Sequence, residues 1–447
     1  MRPSNTDTRV ALYLSWLIGV ILVVLPFHAL LSVWLASIFG HYTLLRLWKE
    51  LLLIILICGT VYLIAKDSKL RKRFISYLPA RLIAAYILIS IIWGAGAYAL
   101  NKVTAKALGY GLIVNLRFLV FFLVVWVVAT KSSLLKRIWL KLLLWPAAGV
   151  VIFGITERLF LPIDFLKHFG YGPNTIYPYE TINHNLNYPR IMSTLRGANP
   201  LGAYLIVVIS ALAVLINKTK RQRLFLSLAG LASLATLIFS YSREAWIGMA
   251  LSLAFLVLVA IKNPRLKKMA IIISCVLIVT GLALGGLLRN NATLQNVIFH
   301  TQNGSSSKLS SNQQHASAFK GGLKDIAHNP LGEGVGTAGP ASVYNNGKGR
   351  VAENYYIQIG QEIGWLGIVL FLAINYLVAI ELWRKRADTL PLVLLVSLIG
   401  ISFINLFSHA WADDTLAYIW WGLAGVACAP AILKTGNKNG KSQKRPA

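Results

Sequence analysis

Charged residues are scarce in this 447-residue chain: Asp, Glu, Lys and Arg together make 13% of it, about half the share in ordinary soluble domains. Acidic residues are the scarcest part, 15 against 44 basic ones, which leaves a net charge of +29. With 56% hydrophobic residues and a mean hydropathy of +0.63, a soluble globular class is excluded and an integral membrane protein remains. Cysteine is nearly absent. Cys58, Cys275 and Cys428 all fall inside apolar runs, so no disulfide framework is expected. There is no HExxH, no paired CxxC and no Walker loop, and the histidines show no metal spacing. Nor does the basic excess form a face that would suit nucleic acid. Lys and Arg come in short clusters between apolar runs, which is the positive-inside pattern of membrane proteins, and no nucleic-acid partner is expected.

What the chain does have is long apolar runs, and a spanning helix needs about 20 apolar residues. Twelve segments qualify: 10–28, 50–65, 82–100, 109–130, 142–162, 199–217, 224–240, 244–261, 269–288, 364–382, 391–408 and 415–433. Basic clusters follow every second span, at Lys66–Arg81, Lys131–Lys141, Lys218–Arg223, Lys262–Lys268, Arg384–Arg386 and after Lys434. That alternation predicts cytoplasmic N- and C-termini in the inner, or cytoplasmic, membrane. The run from Ala11 reads as a retained first span, because no small-residue cleavage site follows it. Residues 29–49, after Pro26, read as an interfacial or re-entrant helix. The expected fold is all-α and polytopic: a membrane domain over 1–433 and a disordered basic tail over 434–447.

One long polar stretch, Arg289 to Gly367, interrupts the apolar pattern between spans nine and ten. A bilayer cannot solvate it, so residues 289–363 are expected to form a large extracytoplasmic loop. Within it, Ser311–His328 has helical composition and stops at His328-Asn329-Pro330. Glycines at 332, 334 and 336 then open conformations closed to other residues.

Three arginines lie near span ends. Arg243 either snorkels beside Glu244 or binds an anion, and Arg196 is either an anion ligand or an interface anchor. For Arg117 a structural partner or a headgroup contact is expected. Glu353 and Glu362 are nine residues apart, on opposite faces of a continuous helix, so they do not form a paired-carboxylate site. Glu353 stands where a helix begins, as cap or as catalytic group, and Glu362 reads as a structural anchor.

Three stretches together resemble the O-antigen ligase and polymerase superfamily of bacterial envelope glycan enzymes. They are Arg196-Gly-Ala-Asn-Pro-Leu-Gly, Ser242-Arg243-Glu244-Ala245-Trp246, and Pro330-Leu-Gly-Glu-Gly-Val-Gly with Glu353-Asn354-Tyr355-Tyr356-Ile357-Gln358 and Glu362-Ile-Gly-Trp-Leu-Gly367. The resemblance implies glycosyl transfer without metal or other cofactor on the outer face of the membrane, for surface polysaccharide or lipopolysaccharide biosynthesis. The donor would be a glycan on undecaprenyl diphosphate. The acceptor hydroxyl would belong to a glycan, lipid or protein. Arg196 and Arg243 would hold the diphosphate, and Glu353 would activate the acceptor. Candidate substrate contacts are Arg117, Arg190, Asn199, Asn354, Tyr355, Gln358 and His315. Where lipopolysaccharide ligases typically carry His-Asn, this chain has Glu353-Asn354, which keeps a proton acceptor but leaves ligase and polymerase both open. A lipid-linked glycan flippase or transporter is the alternative class, although nearly charge-free spans favour a surface enzyme.

Overall fold

A computed structural model describes residues 5–182, 185–219, 221–261, 263–265, 268–269, 311–346 and 349–430. Among these, helix dominates. Eight helices are long and apolar enough to cross a membrane, and Arg223–Phe239 and Thr389–Ile404 are shorter apolar helices. Helices occupy eleven of the twelve expected spans; the ninth, 269–288, lies outside the described residues from 270 onward, as do residues 289–310 and the tail.

The chain starts with α1 (Asn5–Val24), and a short 3-10 turn at Pro26 leads into α2 (His28–Phe39). This is the extra helix expected after Pro26. A single turn, α3 (Tyr42–Leu45), precedes α4 (Trp48–Lys66), the short α5 (Ser68–Ser76) and α6 (Leu78–Ala99). Then come α7 (Ala105–Lys131) and α8 (Leu134–Leu159), followed by a two-stranded hairpin, β1 (Glu180–Ile182) and β2 (Asn185–Arg190). Three helices follow: α9 (Ala198–Lys218), α10 (Arg223–Phe239) and α11 (Arg243–Ala260). The second half holds α12 (Ser311–His328), α13 (Tyr355–Arg384), α14 (Thr389–Ile404) and α15 (Asp414–Cys428).

The core runs along α7 and α15, where Phe118 stacks on Trp411, Phe122 meets Trp421 edge-on, and Trp420 and Trp421 pack tilted and edge-on against Trp411. Aromatic pairs of this geometry add to the burial of area. Beside them α9, α11 and α14 pack together. There α11 and α14 come so close that a Cβ on Gly400 would lie 2.4 Å from the Gly248 carbonyl oxygen.

The two ends of the bundle differ. At one end lysines cover carbonyls at the C-terminus of α15 and in the turn between α13 and α14. Lys136 reaches Ala429 O at 3.0 Å, Lys385 reaches Cys428 O at 3.0 Å, and Lys218 reaches Ala387 O at 2.6 Å. Lys131 pairs with Asp67 at the same end. The other end gathers the starts of α9, α11 and α13 together with the connection 405–413. The packing fixes this. Gly202 of α9 lies against Ser242 and Ala245, Gly248 lies against Gly400 of α14, and the Tyr355 amide donates to Asn405 O at 2.9 Å.

α14 and α15 have only 16 and 15 residues, about 24 and 23 Å at the helical rise. They are short because the two ends of the connection, Asn405 and Ala410–Asp413, are buried in the protein, while Leu406 and Phe407 stay exposed. Irregular backbone at that depth must be satisfied internally. Asn405 Oδ1 accepts from the Trp411 amide at 3.2 Å, Asp413 Oδ1 caps α15 through the Leu416 amide at 3.1 Å, and Arg117 donates to Ala412 O at 3.1 Å.

Candidate functional site

Arg196 stands two residues ahead of α9. Its Nε donates to Asp413 Oδ2 at 2.8 Å, while half of its side chain is exposed, 53%. Among the described residues its two terminal nitrogens have no hydrogen-bond partner, so the outer edge of the guanidinium is available. Arg46 and Tyr110 lie within electrostatic reach of it. The segment before it is pinned: Glu157 accepts from the Ser193 amide at 2.6 Å and Thr194 donates to Pro26 O at 2.7 Å.

Arg243 is the first residue of α11 and is half-buried. Glu244 and Arg190 lie near enough for their charges to act on it. Arg190 closes the hairpin: its Nε donates to Ser240 O at 3.0 Å, and its terminal nitrogens meet Asn199 and, at 3.5 Å, Glu180. Arg190 and Asn199 therefore satisfy one another beside Arg243. Since α9 and α11 start side by side, their N-terminal amides add positive potential to the same end.

Glu353 comes from the third connection. Asn354 caps α13, accepting from the Ile357 amide at 2.9 Å, so the capping role considered for Glu353 belongs to its neighbour. Glu353 itself has φ +53. A left-handed non-glycine residue costs about 1–3 kcal/mol and persists where surrounding structure enforces it, often at functional sites. Six described non-glycine residues have positive φ, and three of them, Ser193, Tyr241 and Glu353, lie within three residues of, or are, the three candidate catalytic groups.

The Asn354 side chain also donates to Leu406 O at 2.9 Å, which ties the start of α13 to the 405–413 connection. That connection carries His409, whose Nε2 is buried without a hydrogen-bond partner among the described residues. Burial pulls the imidazole down to about 4, with Glu353 opposing that shift and Arg196 adding to it. Asp413 and His409 were missed in the sequence. The signal was there: Ser408-His-Ala-Trp-Ala-Asp-Asp414 is a polar interruption between two apolar runs.

Other candidates face inward. Glu362 is wholly buried, and its carboxylate accepts from the Gly336 amide at 2.8 Å and from Asn115 Nδ2 at 2.7 Å. It thus anchors the glycine-rich segment, as the sequence suggested. Gly364, with φ +72, breaks α13 there and lets the Pro330–Gly332 backbone cross against it; a Cβ on it would lie 2.3 Å from Pro330 O. Gln358 donates to Asn115 Oδ1 at 3.3 Å within this cluster, and Tyr355 is fully buried against Phe371. Glu333 pairs with Arg350 at 2.6 Å. Arg117 has a structural partner: it pairs with Asp414 and, at 2.9 Å, with Glu50, in a buried group that includes Lys49. His315 belongs to α12, but its side chain lies outside the described residues.

The result is an all-α polytopic membrane protein with an arginine-rich polar site at one end of its bundle. Residues 228–372 match the family model of the O-antigen ligase, a stretch that contains Arg243, Glu353 and the glycine-rich segment. The match covers about a third of the chain and supports kinship with the O-antigen ligase/polymerase superfamily. No curated protein matches the chain.

Proposed function

We propose that this protein transfers a glycan from undecaprenyl diphosphate to an acceptor hydroxyl on the outer face of the cytoplasmic membrane. What supports this reading is that Arg196, Arg243 and Glu353, from three separate connections, stand at the same end of the bundle. A diphosphate leaving group gathers negative charge as its bond to the sugar breaks, and fixed guanidiniums stabilise it through paired hydrogen bonds. Arg196 offers its outer edge and Arg243 sits at a helix N-terminus, so the guanidiniums supply the positive charge the leaving group needs. Glu353 takes the acceptor proton as the new oxygen–carbon bond forms. The lysine-rich end of the bundle supports an outward site, because basic residues favour the cytoplasmic side.

The test is transfer in vitro from extracted lipid-linked glycan to candidate acceptors. A transferred block marks a ligase and a ladder of added repeats marks a polymerase. Glu353→Gln keeps the shape but not the basicity, and turnover should fall by about 10²–10⁴-fold with folding intact. Wild-type turnover in Glu353→Gln would remove it from the chemistry.

A further inference from the structure

The reaction leaves a proton on Glu353, and that proton must go somewhere before the next turnover. We propose that His409 is the proton partner of Glu353, receiving at Nε2 the proton that the carboxylate takes from the acceptor hydroxyl. This inference rests on the glycosyl-transfer reading above.

The geometry supports it from two sides. Asn354 and Tyr355, the two residues after Glu353, are hydrogen-bonded to Leu406 O and Asn405 O, each at 2.9 Å, three and four residues before His409. On the other side Asp413, four residues after His409, holds Arg196 at 2.8 Å. One short connection thus carries His409 within electrostatic reach of both the carboxylate and the guanidinium. Its Nε2 is buried with no protein partner among the described residues, and a buried polar atom in that state calls for an explanation. Glu353 and Arg196 are the charged groups that act on the imidazole, with opposite effects. When a diphosphate neutralises Arg196, the balance moves toward proton uptake at His409.

The step balances. The acceptor O–H bond breaks as its oxygen bonds the anomeric carbon, and the carbon–oxygen bond to the diphosphate breaks with its electron pair leaving on phosphate oxygen. The proton goes to the Glu353 carboxylate and then, across one bridging water because Nε2 has no protein partner within hydrogen-bond distance among the described residues, to Nε2. His409 would pass it to water once product leaves.

The experiment compares wild type, His409→Gln, Glu353→Gln and the double variant in the transfer assay, across pH. His409→Gln should lower kcat by about 10²-fold at unchanged donor KM and move the acid limb of the kcat profile. The double variant should fall little below Glu353→Gln, since groups acting as one unit are not additive. His409→Gly should regain turnover on addition of imidazole, which a packing role would not produce. Should His409→Gln misfold, the imidazole rescue alone decides. Full turnover with an unmoved pH profile in His409→Gln, or no rescue of folded His409→Gly, overturns the partnership. Absence of transfer by the wild-type protein overturns the functional reading itself, and loss in Glu353→Gln with full activity in His409→Gln overturns only this inference.

Discussion

Replacing Glu362 by Ala tests how the large loop is held, independently of any activity. Its carboxylate is the acceptor for the Gly336 amide at 2.8 Å and for Asn115 Nδ2 at 2.7 Å, at a position with no solvent exposure. Water cannot replace it there. Each buried donor left without an acceptor costs about 1–3 kcal/mol, so the two together cost about 2–6 kcal/mol. That is a large fraction of the 5–15 kcal/mol or so that holds a typical domain together. The damage should be local, because neighbouring backbone bonds persist: the Glu333 amide still donates to Gln361 O and the Gly334 amide to Glu362 O, both at 2.8 Å. Undocking of the glycine-rich segment is therefore expected before the bundle unfolds. Limited trypsin digestion in detergent, followed at Arg350, should show faster cleavage in Glu362→Ala, together with a lower Tm. Glu362→Gln keeps one acceptor oxygen but turns an amide N–H₂ toward the other donor, so its loss should be about half as large. Cleavage and Tm equal to wild type in Glu362→Ala would refute the anchoring argument.

Arg196→Lys and Arg243→Lys keep the charge but lose the planar fork, so transfer should drop sharply in both at normal expression; full activity in both would leave them as interface anchors. In a cysteine-free background, cysteines placed at the exposed positions Asn346 and Lys72 should label from opposite membrane faces, and labelling of both by an impermeant reagent from outside would break the twelve-span arrangement. His409, with its value lowered to about 4 by burial, is buried neutral, so its contribution to stability is present above about pH 6.5 and is lost as pH falls toward 4. The Tm of wild type should therefore drop more steeply than that of His409→Gln over that window, and parallel curves would count against a buried neutral imidazole.

Local patterns in the sequence carried most of the fold. Apolar runs of about 20 residues marked helices, and Asn329-Pro330 marked the end of α12, which stops at His328 as expected. Arg196, Arg243 and Glu353 were legible because each breaks an apolar or glycine-rich context. Their companions were not. Asp413 is 217 residues from Arg196 along the chain, and no periodicity reports a pairing at that distance. Hydropathy also overran at the 391–408 span: α14 ends at Ile404, because Asn405 turns the chain inward with its own side chain. Leu406 and Phe407 are as apolar as the helix before them, so composition gave no sign of the break.

Adjacent aspartates show how the site is kept apart from the bundle beneath it. Asp414 faces inward, where it meets Arg117 and, at 2.9 Å, Lys49, with Glu50 completing a buried group of two cations and two anions. Removing one member would leave an uncompensated buried charge, which makes this group a fixed part of the framework. Asp413 turns the other way and takes only the Nε of Arg196. A carboxylate gripping both terminal nitrogens would occupy the fork that a phosphate needs. Bound through Nε, the guanidinium is oriented while its terminal donors stay exposed. The same aspartate caps α15 through the Leu416 amide, so the orientation of Arg196 is set by a helix start rather than by a loop. On the proposed reading, an anion arriving at Arg196 would find its donors already in place, the entropy of ordering that side chain having been met by folding rather than by binding.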